Sequence, residues 1–565
     1  MKNPADLSFN PPGPGLWQVD GLHTPKPMTA LNEATYIQIP NGMKVCMSRY
    51  GSLSSGIELA VLHRFAYASL NMLVYRPPGD DQLAKARFQE QAAANPELQE
   101  RFQRAEYAIT QKRWREERIH WDTIGKPWMM GRTLALTDED PTNMDSETLA
   151  LHISECLHHM GNSMHFHHIL NLCAGLPRSL LFYYVCQWTD LDPHQLEPLM
   201  IGSSPISAGD EPELRRLVDA IEADPMVSAD ISGKGEPAEI LASLKKQSGE
   251  LGDAYRDFIR VVGYRTLDGW EPMNPYALEE PGLIMDKIRH GMTRDYAHLD
   301  PAFFAQIKRQ IPTRHLEQFV ELFDDAVTNS RIRDERDLYC NVPMAGVLRR
   351  GVIAAGKVAA EKGLIADYEH MTEASLSEIQ QLLLKKRSDL SEELADRYAY
   401  RQRYSIDDIP AVIGSSGEHM IPVDPDWLPP HAALITKAMQ VNQTLNTTVP
   451  DEESEPTPEL LKGRAVSPGS YTGIARVIRE ANELNLIEQG EVLITRSTNP
   501  AFNIVLPRLG ALVTEYGGVL SHAAIVSREF GLPGIVGCKK VTQRVTTGMR
   551  VTVNGDTGEL TLHES

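Results

Sequence analysis

The sequence predicts a multidomain protein, with a large, mainly α-helical part followed by a small α/β domain. Three observations lead there. At 565 residues the chain is long enough for two to four domains. Through most of its length, charged stretches carry apolar residues at helical spacing; between Pro78 and Pro127, for instance, the only proline is Pro96. Val441–Glu459, VNQTLNTTVPDEESEPTPE, then has the polar, acidic, proline-bearing composition of a linker, and beyond it short apolar runs alternate with glycine turns. The expected division is an extended arm over 1–45, a helical domain over 46–440, a linker over 441–459 and a compact α/β domain over 460–565.

Composition narrows the class. The chain is 42% hydrophobic and 23% charged, as in an ordinary soluble globular protein. Its 56 basic and 76 acidic residues give a net charge of −20, which argues against nucleic acid or an anionic membrane as the main partner. The six cysteines show no CxxC spacing and read as reduced thiols, so a cytoplasmic protein is expected. MKNPADLSFNPPGPG has no apolar core, so no signal peptide is expected. The longest apolar run, Leu180–Cys186, is too short to span a bilayer.

In chain order, residues 1–45 are rich in Pro and Gly and read as extended chain on the surface. Trp17, Asp20 and His23 fall at three-residue steps there, the tryptophan suited to filling a groove. Asp81–Trp121 reads as two surface helices. Residues 146–170 read as a helix whose core face is Leu149, Ile153, Cys156, Leu157, Met160 and Met164. The same helix carries His152, His158, His159, His165, His167 and His168. With no HExxH and only Glu155 as a carboxylate at ligand spacing, these read as structural or surface histidines and no metal site is expected; the alternative is a pocket histidine orienting an acceptor hydroxyl. Leu180–Trp188, LLFYYVCQW, suits core packing or the wall of an aromatic pocket. Helices are expected over 207–262, with a break near Ser232-Gly233, and again over 285–310, 313–330 and 374–405. The cluster Arg333, Asp334, Glu335, Arg336 and Asp337 has the alternating signs of a solvated charge run.

The most informative stretch is ALVTEYGGVLSHAAIVSREFGLPGIVG, 511–537. Ala511–Glu515 reads as a buried strand, and Gly517-Gly518 as a turn that side chains would block. Ser521 caps a helix that begins at His522 and ends at Gly531 and Pro533, after which Gly534–Cys538 resumes as a strand. A histidine at a helix start meets free N–H groups and the positive end of the dipole, which disfavour imidazolium and favour an anion on the ring. That suits a neutral imidazole that attacks a phosphoryl group and carries it.

GGVLSHAAIVSREFGLPGIVG resembles the phosphohistidine signature of the phosphoenolpyruvate-utilising enzymes, which include phosphoenolpyruvate synthase, pyruvate phosphate dikinase, rifampin phosphotransferase and phenylphosphate synthase. Val519-Leu520 stands where some members have polar residues. The Ser-Pro-Gly at 467–469 matches the start of the family's swivelling domain. Upstream, the Trp17-Asp20-His23-Pro25 arrangement, the 263–284 segment around Arg265 and the Arg333-Asp334 segment are similar to parts of the rifampin phosphotransferase substrate domain. Tyr264 replaces a usual His, Asp334 a usual Glu, and Asp337 a common basic residue.

The resemblance implies a phosphotransferase with His522 as the phosphoryl carrier. It implies that Thr514, Gly517, Gly518 and Ser521 cradle the phosphate, and that Arg265, Arg333 and Asp334 supply charge and substrate contacts from the helical domain. There is no GxxxxGK[ST] motif and no recognisable ATP-grasp half. The expectation is therefore that ATP and Mg²⁺ bind mainly on a separate ATP-grasp subunit, as in phenylphosphate synthase-like systems. The acceptor is then a small aromatic alcohol such as phenol or a cresol, giving an aryl phosphate. The alternatives are an antibiotic (rifampin-like) phosphotransferase subunit and a non-catalytic phosphocarrier or regulatory protein.

Overall fold

The fold was analysed in a computed structural model. It describes residues 2–563 apart from Leu22, Ala208, Arg294, Asp295, Ala297, Ser388, 416–420 and 447–459. The chain forms two compact units, each assembled from separate stretches. The first comprises Met1–Pro177, Glu271–Met273 and Val347–Met439; the second comprises Arg178–Trp270, Asn274–Gly346 and Gln440–Ser565. Helices dominate, and the larger sheet lies near the C-terminus, so the mainly helical plus small α/β architecture holds.

The first unit is built around the helix Ser146–Ile169, capped by Asp145, whose carboxylate accepts from the Thr148 amide at 2.8 Å. Its apolar stripe is buried as its spacing dictates: Leu149, Ile153, Cys156, Met160 and Met164 are fully enclosed. The helices Ala30–Tyr36, Ile39–Arg49, Lys126–Asp138 and Leu376–Leu383 pack on it. The first two of these correct the expected arm, which is extended only up to its first helix. The charged region expected as two helices forms three, Asp81–Ala94, Pro96–Thr110 and Arg113–His120.

Helical periodicity also left a small sheet unseen. Strands β1 (Gly15–Val19), β2 (Ser54–Leu62), β3 (Phe65–Met72) and β4 (Val412–Ser415) form an antiparallel sheet in the order β2-β3-β1-β4. The β2–β3 turn places His63 and Arg64 at positive φ, 52° and 75°, with no glycine. Arg64 is held there because its Nε donates to the Met28 carbonyl at 2.8 Å and its guanidinium pairs with buried Glu373. Trp17 is buried in a cluster with Phe65, Tyr67, Ile409 and Ile413.

In the second unit, helices from Pro212–Glu222 to Leu316–Arg336 precede an eight-stranded sheet. Its strands are β5 (Leu460–Lys462), β6 (Arg464–Ser467), β7 (Ser470–Ile478), β8 (Glu491–Thr495), β9 (Leu509–Thr514), β10 (Gly534–Val536), β11 (Arg550–Asn554) and β12 (Glu559–Leu562). The order is β5-β12-β11-β7-β8-β9-β10-β6. The pairs β7/β8, β8/β9 and β9/β10 are parallel and the others antiparallel. Central parallel strands are covered on both faces and read as continuous apolar runs, as in EVLIT and LGALVT; every residue of β8 is buried. Val477, Val492, Ile494, Ala511, Val513, Ile535, Val551 and Val553 form the core. The preceding helix, Pro430–Asn446, runs six residues into the stretch of linker composition; the rest of that stretch, 447–459, lies outside the described residues.

Among the described residues one stretch, Ser146–Trp188, is long and apolar enough to cross a membrane by length and composition. Of its most apolar window, 67% is buried inside the protein.

Ile494 tests this core. Ile494→Ala removes a fully buried side chain from the middle of the parallel strands and should cost about 2–5 kcal/mol. In hydrogen–deuterium exchange the amides of β7, β8 and β9 should lose protection by that amount; unchanged protection would place the stabilising core elsewhere.

Candidate functional site

Parallel strands deliver the loops that follow them to one edge of the sheet, the end at which open α/β sheets bind ligands. Here β8 and β9 are neighbours, and the segments leaving their C-terminal ends meet. After β9, Thr514 is fully buried and its hydroxyl donates to the Tyr516 carbonyl at 2.9 Å, closing the turn. Gly517 follows with φ 124°, and a Cβ there would lie 2.8 Å from the Ser521 hydroxyl. The Gly518 carbonyl accepts from the Ser521 amide at 3.0 Å. Ser521 is the N-cap of the helix His522–Glu529, its Oγ accepting from the Ala524 amide at 3.4 Å. The buried face of that helix, Ala523, Ala524, Val526 and Ser527, packs on β6, β9 and β10.

His522 is thus the first helical residue, half-buried, with both ring nitrogens engaged. Nδ1 lies 2.8 Å from Thr498 Oγ1, and Nε2 lies 2.8 Å from Asn503 Oδ1. Both partners come from the segment after β8, Asn503 from the short helix Pro500–Ile504. An amide oxygen can only accept, so this geometry assigns the proton to Nε2 and leaves Nδ1 to accept from the threonine hydroxyl. The opposite tautomer needs only a hydroxyl rotation and an amide flip, which would turn Asn503 Nδ2, buried and without a partner in the described network, toward the Nε2 lone pair. Desolvation, aided by the Arg333 charge and opposed by Asp334, lowers the His522 pKa from 6.5 to about 3.

Sequence reasoning missed Thr498 and Asn503. They lie in RSTNPAFN, a polar segment with no glycine-rich or periodic signal. The one available cue was its position after an apolar strand that neighbours the histidine strand, and neighbourhood in a sheet is not written in the sequence.

The charged cluster is not a solvated run. Asp334, Glu335, Arg336 and Asp337 are buried, where the helix Leu316–Arg336 gives way to a π-helical turn, Asp337–Asn341. Arg333 Nε and Nη2 donate to the two Asp334 carboxylate oxygens at 2.8 and 2.9 Å. Ser207 Oγ also donates to Asp334. Burial pushes the Asp334 carboxyl up, but Arg333 outweighs it and holds the group at about 2. Asp337, by contrast, is raised to about 6 by burial while accepting from Trp270 Nε1 at 2.6 Å.

Arg265 is placed in a buried ion-pair network. Its Nη1 donates to Glu211 Oε1 at 2.7 Å, its Nε donates to the Leu338 carbonyl at 2.9 Å, and its guanidinium lies 5.7 Å from the Tyr339 ring centre. Lys287 shares Glu211 at 3.3 Å. Arg265, Lys287 and Asn503 border one narrow cavity, so Arg265 stands behind the asparagine that touches His522.

In the first unit the histidine-rich helix has protein partners. His152 Nδ1 lies 2.6 Å from Glu139, His159 Nε2 lies 3.1 Å from the Thr133 hydroxyl, and His168 Nδ1 donates to the Met164 carbonyl at 2.8 Å. No group of three or more His, Cys, Asp or Glu side chains gathers at metal-binding distance among the described residues. In Leu180–Trp188, Leu180, Leu181, Phe182 and Val185 are core, whereas Tyr183, Tyr184 and Trp188 are half-buried and Trp188 stacks on His315 with ring centres 4.6 Å apart.

Residues 487–558, which hold β8, β9, β10 and the histidine helix, match the family described as PEP-utilising enzyme, mobile domain. Over 319 residues the chain is 25% identical to the uncharacterised phosphotransferase YvkC of Bacillus subtilis, an overlap of 54% of this chain and 36% of YvkC. Over 107 residues it is 46% identical to the phosphoenolpyruvate synthase of Pyrococcus furiosus, covering 19% of this chain and 13% of the synthase. Over 102 residues it is 41% identical to the phosphoenolpyruvate synthase of Escherichia coli, covering 18% and 13% respectively. The chain thus spans about a third of the length of the first relative and about an eighth of the synthases. The strand–turn–helix that carries His522 therefore lies in a segment that matches the mobile domain of the phosphoenolpyruvate-utilising enzymes.

Proposed function

We propose that the chain is a phosphotransferase subunit that takes a phosphoryl group from ATP onto His522 and passes it to the hydroxyl of a small aromatic alcohol, giving an aryl phosphate. One observation carries the reading: an uncharged, desolvated imidazole at a helix start, inside the family's mobile domain. A ring with its pKa near 3 keeps a lone pair at neutral pH, the form that can attack phosphorus.

In the first step a bond forms between a His522 nitrogen and the γ-phosphorus as the bridging bond to ADP breaks. In the second, the acceptor oxygen bonds to phosphorus, the nitrogen leaves, and the hydroxyl proton passes to a base. Such transfers depend on positioning and charge neutralisation. The chain would supply the backbone N–H groups of Gly517, Gly518 and His522 with the Ser521 hydroxyl (the Val519 and Ser521 amides being engaged by the Leu445 and Gly518 carbonyls), the hydroxyl of Thr498 to exchange the second ring proton, and Arg333 held by Asp334. Arg265, locked to Glu211, acts one shell back through Asn503. ATP and its Mg²⁺ are assigned to a separate ATP-grasp subunit. The acceptor class rests on the resemblance of the Arg265 and Arg333 segments to substrate domains and on the aromatic Leu180–Trp188 stretch. A phenol, with a pKa of about 10 like tyrosine, needs less base assistance than an aliphatic alcohol.

Incubated with ATP, Mg²⁺ and the ATP-grasp subunit, the wild type should gain one acid-labile phosphate by intact mass, and folded His522→Ala none. Calorimetry should find no tight ATP binding to this chain alone. Phosphate-charged protein should then lose its label to phenol or a cresol faster than to water or glycerol. Equal loss to all of them favours the carrier reading, and faster loss to a rifamycin favours the antibiotic one.

The protonation state has its own test. Below pH 6.5 the unfolded chain protonates this histidine while the folded protein does not until about pH 3. His522 therefore favours unfolding progressively as pH falls through that window. In a ¹⁵N-histidine titration its signal, assigned by loss in His522→Gln, should stay in the neutral pattern down to pH 4.5. The acid-induced fall in melting temperature should be smaller in the variant. A midpoint near 6.5 would contradict the desolvated site.

A further inference from the structure

The His522–Glu529 helix carries a second polar site. A turn and more beyond His522, Ile525, Arg528 and Glu529 line a cavity whose other walls include Arg178, Glu197, Ser330 and Arg333. The cavity is small, about 20 Å³, so an oxyanion would enter it as the long arginine side chains of its wall give way. Three guanidinium groups converge on it. Arg178 gives one of its five donors to Asn442 Oδ1 at 3.1 Å. Arg528 is fixed through its Nε to the Ala524 carbonyl at 3.1 Å and through its Nη1 to Glu197 Oε2 at 3.4 Å. Arg333 is oriented by Asp334. Glu529 is turned aside, its carboxylate oxygens accepting from the Gly202 amide at 3.0 and 3.1 Å.

Two polar atoms on the cavity wall lack a protein partner. Glu197 is 4% exposed and Ser330 8%, yet Glu197 Oε1 and Ser330 Oγ make no hydrogen bond in the described structure. Groups buried this deeply are normally satisfied. The two ask for different things: the serine hydroxyl can donate, whereas Glu197, whose pKa burial raises against the opposing charges of Arg528 and Arg178, offers only an acceptor in its ionised form. Three arginines and a serine donor call for an anion with several acceptor oxygens, and the carboxylate calls for one proton on that anion.

We propose that this cavity is a phosphate site selective for the monoprotonated form, in which Arg178, Arg333, Arg528 and Ser330 donate to the bare oxygens and Glu197 Oε1 accepts the P–OH proton. The second ionisation of a phosphate monoester lies near pH 6, so the monoprotonated form is available near neutrality. Sulfate has the same shape but no proton, and would leave Glu197 unpaired against an oxygen. Sites built to accept a hydrogen bond reject analogues that lack it. Within the proposed reaction, this gives the phosphorylated product or inorganic phosphate a resting place beside, not on, the histidine. The assignment rests on that reading only for the source of the phosphate.

The test uses inorganic phosphate and sulfate with the full chain at pH 6, by calorimetry, and involves no phosphoryl transfer. Its outcome is therefore independent of whether His522 is phosphorylated. Wild type should bind phosphate at least tenfold more tightly than sulfate. Glu197→Gln, which exchanges an acceptor for an amide that can donate, should bring the two within about threefold. Arg178→Met should weaken phosphate more than tenfold with an unchanged circular dichroism spectrum. If that variant does not fold, Ser330→Ala should still weaken phosphate several-fold. Equal binding of phosphate and sulfate to wild type, no phosphate binding, or discrimination unchanged in a folded Glu197→Gln would overturn the proposal.

Discussion

The structure of the second unit turns on keeping one imidazole uncharged. His522 sits at a helix start, where desolvation makes a proton on the ring expensive although Asp334 partly offsets it. Its two nitrogens are met by a hydroxyl and an amide, groups without charge that can each either donate or accept. A carboxylate in either place would pull a proton onto the ring, which would lose the lone pair that the proposed transfer needs. Thr498 and Asn503 hold the ring without choosing its charge, and they tolerate either tautomer.

That arrangement depends on the parallel strands. The loop after β9 brings the histidine and the loop after β8 brings both of its partners, so the site exists only because β8 and β9 are neighbours. Their apolar sequences, EVLIT and LGALVT, follow from being covered on both faces, so the burial that makes the core also brings the two loops together. The Gly517 turn and the Ser521 cap then set where the helix begins, and hence which way the ring projects.

Much of this was legible because it is local. The strand, glycine turn, cap, helix and second strand from 511 to 537 all follow from neighbours in sequence, and so did the helical stripe at 146–169. Features made by distant segments were not legible. The four-stranded sheet joins β1 to β4 across nearly four hundred positions of the chain, and its strands alternate too irregularly to compete with the surrounding helical signal. The Pro- and Gly-rich stretch before them misleads for residues 30–45; they hold only Pro40 and Gly42, and form helices that start at a Thr29 cap and pack on the 146–169 helix.

The Arg333–Asp337 run shows why charge patterning misled. Alternating signs usually mean a solvated face, because burying a charge costs several kcal/mol unless it is paired. Here the alternation itself supplies pairs, with Arg333 on Asp334 and Arg331 on Glu335, so the same pattern is compatible with burial. What separates the two cases is the company the run keeps. Ser207, Trp270 and the Arg178–Glu197–Arg528 chain lie far away in sequence, and each contributes a polar group to one enclosed cluster. Replacing such pairs with apolar residues is often neutral or stabilising. A dense set of buried charges around a nucleophile is therefore poorly explained by stability. Burial, not the field of these charges, keeps the histidine neutral, since Asp334 and Arg333 act on it in opposite senses; in the proposed transfer the fixed charges would instead meet that of a phosphoryl group.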